Sequence, residues 1–132
     1  MSKSKSFKSL PLSEGQLNNL ASIGYESMTE IQAESLPYSL EGTDLLAQAA
    51  TGSGKTLAFG LPLVERLDPK RFCIQALVLC PTRELAGQVA DELRKLARHP
   101  GNIKVLSLCG GQPIGPQIGS LEHGAHIIVG TP

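Results

Sequence analysis

No stretch of this sequence approaches the roughly 18–20 consecutive apolar residues that a membrane-spanning helix needs. Its first residues, Met-Ser-Lys-Ser-Lys-Ser-Phe, hold no apolar signal region. Cysteine is scarce too: Cys73, Cys80 and Cys109 form no Cys-x-x-Cys pair and leave an odd count, which argues against a disulfide scaffold or a zinc site. A reducing, cytoplasmic setting is the expectation. Net charge is absent, with 12 Lys and Arg against 12 Asp and Glu, so bulk electrostatics gives no reason to bind nucleic acid, although local phosphate contacts stay open. The neutrality hides a segregation. Residues 9–54 contain no Lys or Arg but six acids, whereas residues 55–104 contain nine bases and five acids. What is present suffices for a core: 132 residues at 41% apolar and 18% charged describe one domain and are too few for two.

Ser13 with Gln16 forms a capping-box pattern, followed by Leu17, Leu20 and Ile23 on one helical face and Gly24 as a stop. Thr29 and Gln32 repeat it ahead of Ile31, Leu36, Leu40 and Gly42, with Pro37 expected to kink that helix or shift its start. The period then changes. Asp44-Leu-Leu-Ala-Gln-Ala49 suits a buried parallel strand, Lys55 to Leu67 a helix kinked at Pro62, and Ile74 to Cys80 a second strand. Arg83 to Arg98 carries Leu85, Val89, Leu93 and Leu96 at helical spacing, with Arg94, Lys95 and Arg98 at its negative end. Lys104–Cys109 and His126–Gly130 read as third and fourth strands, and little helix-forming material lies between them. Strand–helix alternation implies an α/β fold with a parallel sheet.

The most informative stretch is Ala49-Ala-Thr-Gly-Ser-Gly-Lys-Thr56. Gly52 and Gly54 let consecutive N–H groups converge at the positive end of a following helix, which suits a phosphate chain. Lys55 adds a point charge for the outer phosphates, and the Thr56 hydroxyl can ligate Mg2+. The competing reading is a glycine turn before an ordinary helix. Against it, a lysine in a helix's first turn opposes the macrodipole unless an anion binds there. The strict pattern begins with Gly where this chain has Ala49.

Taken together, the motifs resemble the first RecA-like domain of a DEAD-box RNA helicase. Phe7 and Gly24-Tyr-Glu-Ser-Met-Thr-Glu-Ile-Gln32 are similar to the Q motif, with Met28 where proline is usual. Ala49–Thr56 is similar to motif I, Pro81-Thr-Arg-Glu-Leu-Ala86 to motif Ia, Gly110-Gly111 to the GG motif, and Thr131-Pro132 to the start of motif Ib. Leu-Cys-Gly-Gly-Gln-Pro and the motif Ia strand look closest to the bacterial branch that acts on large-subunit ribosomal RNA.

The resemblance implies an α/β P-loop NTPase fold with a three-layer RecA-like parallel sheet, here incomplete. It divides the chain into a flexible tail (1–6), a Q-motif region (7–33) and part of RecA-like domain 1 (34–132). It assigns ATP to Phe7, Tyr25, Thr29, Gln32, Ala49, Ala50, Thr51, Gly52, Ser53, Gly54, Lys55 and Thr56, with Lys55 and Thr56 catalytic and Thr56 on Mg2+. RNA falls to Pro81, Thr82, Arg83, Gly110, Gly111, Gln112, Thr131 and Pro132. Several of these have plainer competitors. Gln32 would read the adenine edge, but can equally cap its helix through the Thr29 N–H. Phe7 would stack on the base, or act as an apolar plug. Thr82 would meet RNA phosphate, or serve as a helix N-cap with Glu84 in the first turn. Asp91-Glu92 reads as a solvated helix face, the histidines as carrying no role, and the cysteines as small core residues.

An ATPase also needs an Asp-terminated strand for Mg2+ and a carboxylate for the attacking water, and no strand here supplies one. The expectation is therefore a piece of a longer helicase, inactive in isolation, which needs a second RecA-like domain in cis. Its full-length form would use ATP to unwind short RNA duplexes, with a role in ribosome assembly. The alternatives are a non-catalytic nucleotide- or RNA-binding module, or a small P-loop kinase-like protein.

Overall fold

The computed structural model describes residues 5–50 and 52–132. These fall into two compact units, one ending at Arg66 and one beginning at Leu67.

In the first unit every helix start follows its sequence signal. Ser6 accepts from the Lys8 N–H and opens a short 3-10 turn, Phe7–Ser9. Ser13 accepts from the Gln16 N–H and opens α1, Glu14–Ser22. Thr29 precedes α2, Glu30–Ser39, and Gly54 in left-handed conformation precedes α3, Lys55–Glu65. The described part of the expected tail is tied down, because the Lys5 carbonyl accepts from the Met28 N–H at 2.6 Å. Both prolines are absorbed: α2 runs through Pro37 and α3 through Pro62. The buried faces differ from the periodic reading. On α1, Gln16 is buried with Leu20, while Leu17 and Ile23 are partly exposed. Gln16 stays buried because its amide is used, donating to Glu65 Oε1 and accepting from Asn19 Nδ2, both at 3.0 Å.

The expected strand at residues 44–49 is corrected. The segment forms no ladder, and Leu46 is fully exposed. A parallel strand exists only where a neighbour takes its N–H and C=O groups, and among the described residues the sheet lies wholly in the second unit.

That unit is built as β1 (Ala76–Leu79), α4 (Arg83–Leu96), β2 (Val105–Leu108), α5 (Ile114–His123) and β3 (Ile127–Gly130). The three strands are parallel in the order β1-β3-β2, with Val78 and Ser107 both opposite Val129. The last strand in sequence is the central one, and all four of its residues are buried. Helix α4 packs on β2 and β3 through Ala86, Val89, Ala90, Leu93 and Leu96, while Leu85 is exposed. Its acids form exposed pairs, Asp91 with Arg94 and Glu92 with Lys95, as a solvated face should. A helix does form between β2 and β3. It contains Gly115, Pro116 and Gly119 and buries no residue, so its signal was absent from the sequence pattern for a physical reason.

Among the histidines and cysteines, two cysteines depart from the core reading, and His126 keeps the structural place expected of a residue with no site role. His126 is buried and structural: its Nδ1 accepts from the Lys104 N–H at 3.0 Å, and its Nε2–H donates to the Pro69 carbonyl at 3.3 Å. The Phe72 ring meets it edge-on at 5.2 Å. Cys80 is a core residue as expected, but Cys73 is exposed and Cys109 half-buried.

Candidate functional site

The glycine loop of the first unit turns on two left-handed residues, Gly52 (φ 82°) and Gly54 (φ 89°). Gly54 is also sterically required: a Cβ there would run into the Gln32 amide and stand 2.8 Å from Thr29 Oγ1. This contact brings the second capping box onto the loop. Gln32 Oε1 accepts from the Thr29 N–H at 2.9 Å, and Nε2 donates to the Gly54 carbonyl at 3.1 Å. Both plain and sharp readings of Gln32 therefore start from one buried amide. As a cap it is fully engaged. It also retains one N–H and one lone pair in its inventory, but reading adenine would require its cover to open.

The loop itself fits a phosphate chain. Ser53 Oγ is buried with no hydrogen-bond partner, an orphan that an anion's oxygen or its water would satisfy. Nothing stands over Gly52. Lys55 is exposed at the first position of α3 with no acidic partner among the described residues, so its charge faces the helix's positive end unopposed. Thr56 follows, half-buried. Ala49 is half-buried and Ala50 exposed, the latter's carbonyl closing the turn from the Ser53 N–H at 3.2 Å. Thr51 lies outside the described residues. Among the described residues no cluster of three metal-ligating side chains occurs.

Phe7 is buried, 5% exposed, with its ring edge-on to Tyr25 at 6.4 Å. That is plug geometry, and base stacking would need the ring uncovered.

The second unit gathers the other set at the carboxyl ends of its strands. Cys80 N–H donates to the Gly130 carbonyl and Thr131 N–H to the Leu108 carbonyl, so the segments carrying Pro81–Arg83, Gly110–Gln112 and Thr131–Pro132 leave the sheet side by side. This is the edge where open α/β sheets bind ligands. Thr82 caps α4, its Oγ1 accepting from the Leu85 N–H at 3.2 Å. Gly111 (φ 76°) lies under the Arg83 guanidinium, which a Cβ would displace.

Sequence reasoning missed Gln117. Its Oε1 accepts from the Cys109 N–H at 3.1 Å, and its Nε2 reaches the carbonyls of Cys109, Gln112 and Pro113. It thereby pins the double-glycine turn from a helix that the pattern did not announce.

The DEAD/DEAH box helicase family model matches residues 29–132. The chain is 60% identical over 121 residues to the ATP-dependent RNA helicase DbpA of Escherichia coli, covering 92% of this chain and 26% of that protein. It is 48% identical over 126 residues to the DEAD-box ATP-dependent RNA helicase CshA of Bacillus cereus, covering 96% and 24%. Among solved structures, a DEAD box protein from Methanococcus jannaschii superposes with a TM-score of 0.90 at 42% identity, over 99% of this chain and 36% of that one. Dbp5 of S. cerevisiae, bound to RNA and ADP BeF3, superposes at 0.82 with 30% identity, over 97% and 32%. The chain thus spans about a quarter of the length of the curated relatives it matches.

Proposed function

This chain belongs to the DEAD/DEAH box helicase family, and on that premise we propose that its first unit binds the phosphates and adenine of ATP while its second unit holds the backbone of single-stranded RNA. The observation that carries the reading is the hydrogen bond from Gln32 Nε2 to the Gly54 carbonyl. It joins the residue suited to reading adenine to the loop suited to phosphate, so one ligand can engage both.

In this reading Lys55 and the loop N–H groups of residues 50–56 hold the phosphate oxygens, and Ser53 Oγ gains the partner it lacks. Thr56 holds Mg2+, which when bound supplies charge neutralisation between the phosphates. Phe7, Tyr25 and Thr29 shape the base end. Arg83, Thr82, the N–H groups at the start of α4, the bare backbone of Gly110–Gly111 with Gln112, and Thr131–Pro132 take ribose and phosphate. That mode is independent of sequence, as the neutral total charge suggests. Residues 7–33 serve as the Q-motif region and 34–132 as part of the first RecA-like domain. The whole protein unwinds short RNA duplexes with ATP in the cytoplasm, together with a second RecA-like domain. The branch resemblance read from motif Ia and the GG motif points to a role on large-subunit ribosomal RNA.

Calorimetric titration of the 132-residue chain with ADP and GDP tests the nucleotide half. Binding of ADP in preference to GDP supports it, and equal affinities sink the Gln32 assignment. The isolated chain, without the acidic strand motif, should show no RNA-stimulated turnover. ATPase activity that disappears in Lys55→Ala would overturn that.

A further inference from the structure

Helix α3, which follows the glycine loop, is held at both ends by glutamines from the region before it. Gln32 holds the first end, donating to the Gly54 carbonyl. Gln16 holds the other: its Nε2 donates to Glu65 Oε1 at 3.0 Å, while its Oε1 accepts from Asn19 Nδ2 at 3.0 Å. The helix has 11 residues, so the two ties stand about 16 Å apart along its axis. Gln16 is entirely buried, one turn before Leu20 on the same face of α1. An apolar side chain would fill that place at lower desolvation cost. The amide adds a directed tie, which apolar packing lacks.

What α1 carries is the base end of the nucleotide site. The Leu20 carbonyl accepts from the Tyr25 N–H at 2.9 Å, and the Tyr25 ring meets Phe7 edge-on. Two residues before Phe7, the Lys5 carbonyl accepts from the Met28 N–H, immediately ahead of Thr29 and Gln32. Phe7, Tyr25, Thr29 and Gln32 are thus linked into one set through α1 and the segment after it. Because Gln32 is fully engaged as a cap, reading a base requires its bond to Gly54 to give way. The tie at the opposite end of α3 then keeps the set on the helix. Resting on the adenine reading of Gln32 given above, we propose that Gln16, through Glu65, is a positioning residue for nucleotide recognition. It touches no ligand. It holds the base-reading residues in register with the phosphate-binding helix while Gln32 exchanges the Gly54 carbonyl for the base.

Calorimetric titration of the 132-residue chain with ADP, GDP and inorganic pyrophosphate tests this, since pyrophosphate reports on the loop without a base. Gln16→Leu keeps the buried bulk and removes the tie. It should weaken ADP binding about tenfold, the scale of one hydrogen bond, and bring the ADP-to-GDP ratio toward one. Pyrophosphate affinity should stay within about twofold, well inside that scale. Glu65→Ala changes an exposed residue, leaves the core untouched and should reproduce the loss. Glu65→Gln, which keeps an acceptor for Gln16, should retain the preference. An ADP preference that survives both Gln16→Leu and Glu65→Ala overturns the positioning role and leaves the adenine reading intact. Equal weakening of ADP and pyrophosphate also overturns it, because the change then acts on the loop or on the fold as a whole. A wild-type chain that does not favour ADP over GDP overturns both.

Discussion

The two units hold their candidate ligand groups by different means. In the first, the glycine loop is fixed by side chain reaching backbone: Gln32 ties the start of α2 to Gly54 at the start of α3. In the second, three loops are fixed by sheet register, since Cys80 and Thr131 leave the ladder bonded to Gly130 and Leu108, with Gln117 trimming one of them. The difference teaches where each site is vulnerable. A single amide can loosen the first. The second should yield mainly to changes that disturb the strands themselves.

The largest expected effect tests that claim away from the candidate site. His126→Ala removes the acceptor for the half-buried Lys104 N–H and leaves a void beside Phe72, which should cost about 3 kcal/mol in chemical denaturation. A loss below about 1 kcal/mol would mean that the sheet does not depend on this anchor, and the comparison would break. Next, Lys55→Ala should weaken ADP binding about thirtyfold by calorimetry, the scale of a hydrogen bond to a charged group. An unchanged affinity removes the phosphate role.

Gln32→Ala strips both the Thr29 cap and the Gly54 link. It should lower stability by about 1–2 kcal/mol and bring the ADP-to-GDP preference toward one. A stability loss with the preference retained would leave Gln32 a cap alone. Gln117→Ala should cost about 1 kcal/mol and speed amide exchange at Cys109, where the lost acceptor was. No change there would return the double-glycine turn to the sheet's control.

The smallest effect is a pH dependence. Burial, with Cys109 adding to it, raises the Cys80 thiol above its ordinary value. Its native form keeps the proton after the unfolded chain has lost it, so stability should decline as pH rises through about 8.5. Cys80→Ala should flatten that limb of a pH–stability profile, and an unchanged slope would count against the cause.

Much of this was legible because local chemistry writes itself into short stretches. Ser13, Thr29 and Thr82 announce helix starts, and Gly52 and Gly54 announce a left-handed turn. What was not legible depended on partners distant in sequence. Residues 44–49 have the composition of a strand but no ladder. Helix α5, poor in helix formers, is held by Gln117. His126 has no motif around it, and its role comes from Lys104, Pro69 and Phe72.

The sequence by itself determined the family, the α/β alternation and the glycine turn before α3, because capping, periodicity and glycine placement act within a few residues. Only the tertiary structure decided that β3 is the central strand, that Gln32 reaches Gly54, and that Arg83 lies over Gly111. Those depend on register and on contacts between residues up to dozens of positions apart, which no local pattern encodes.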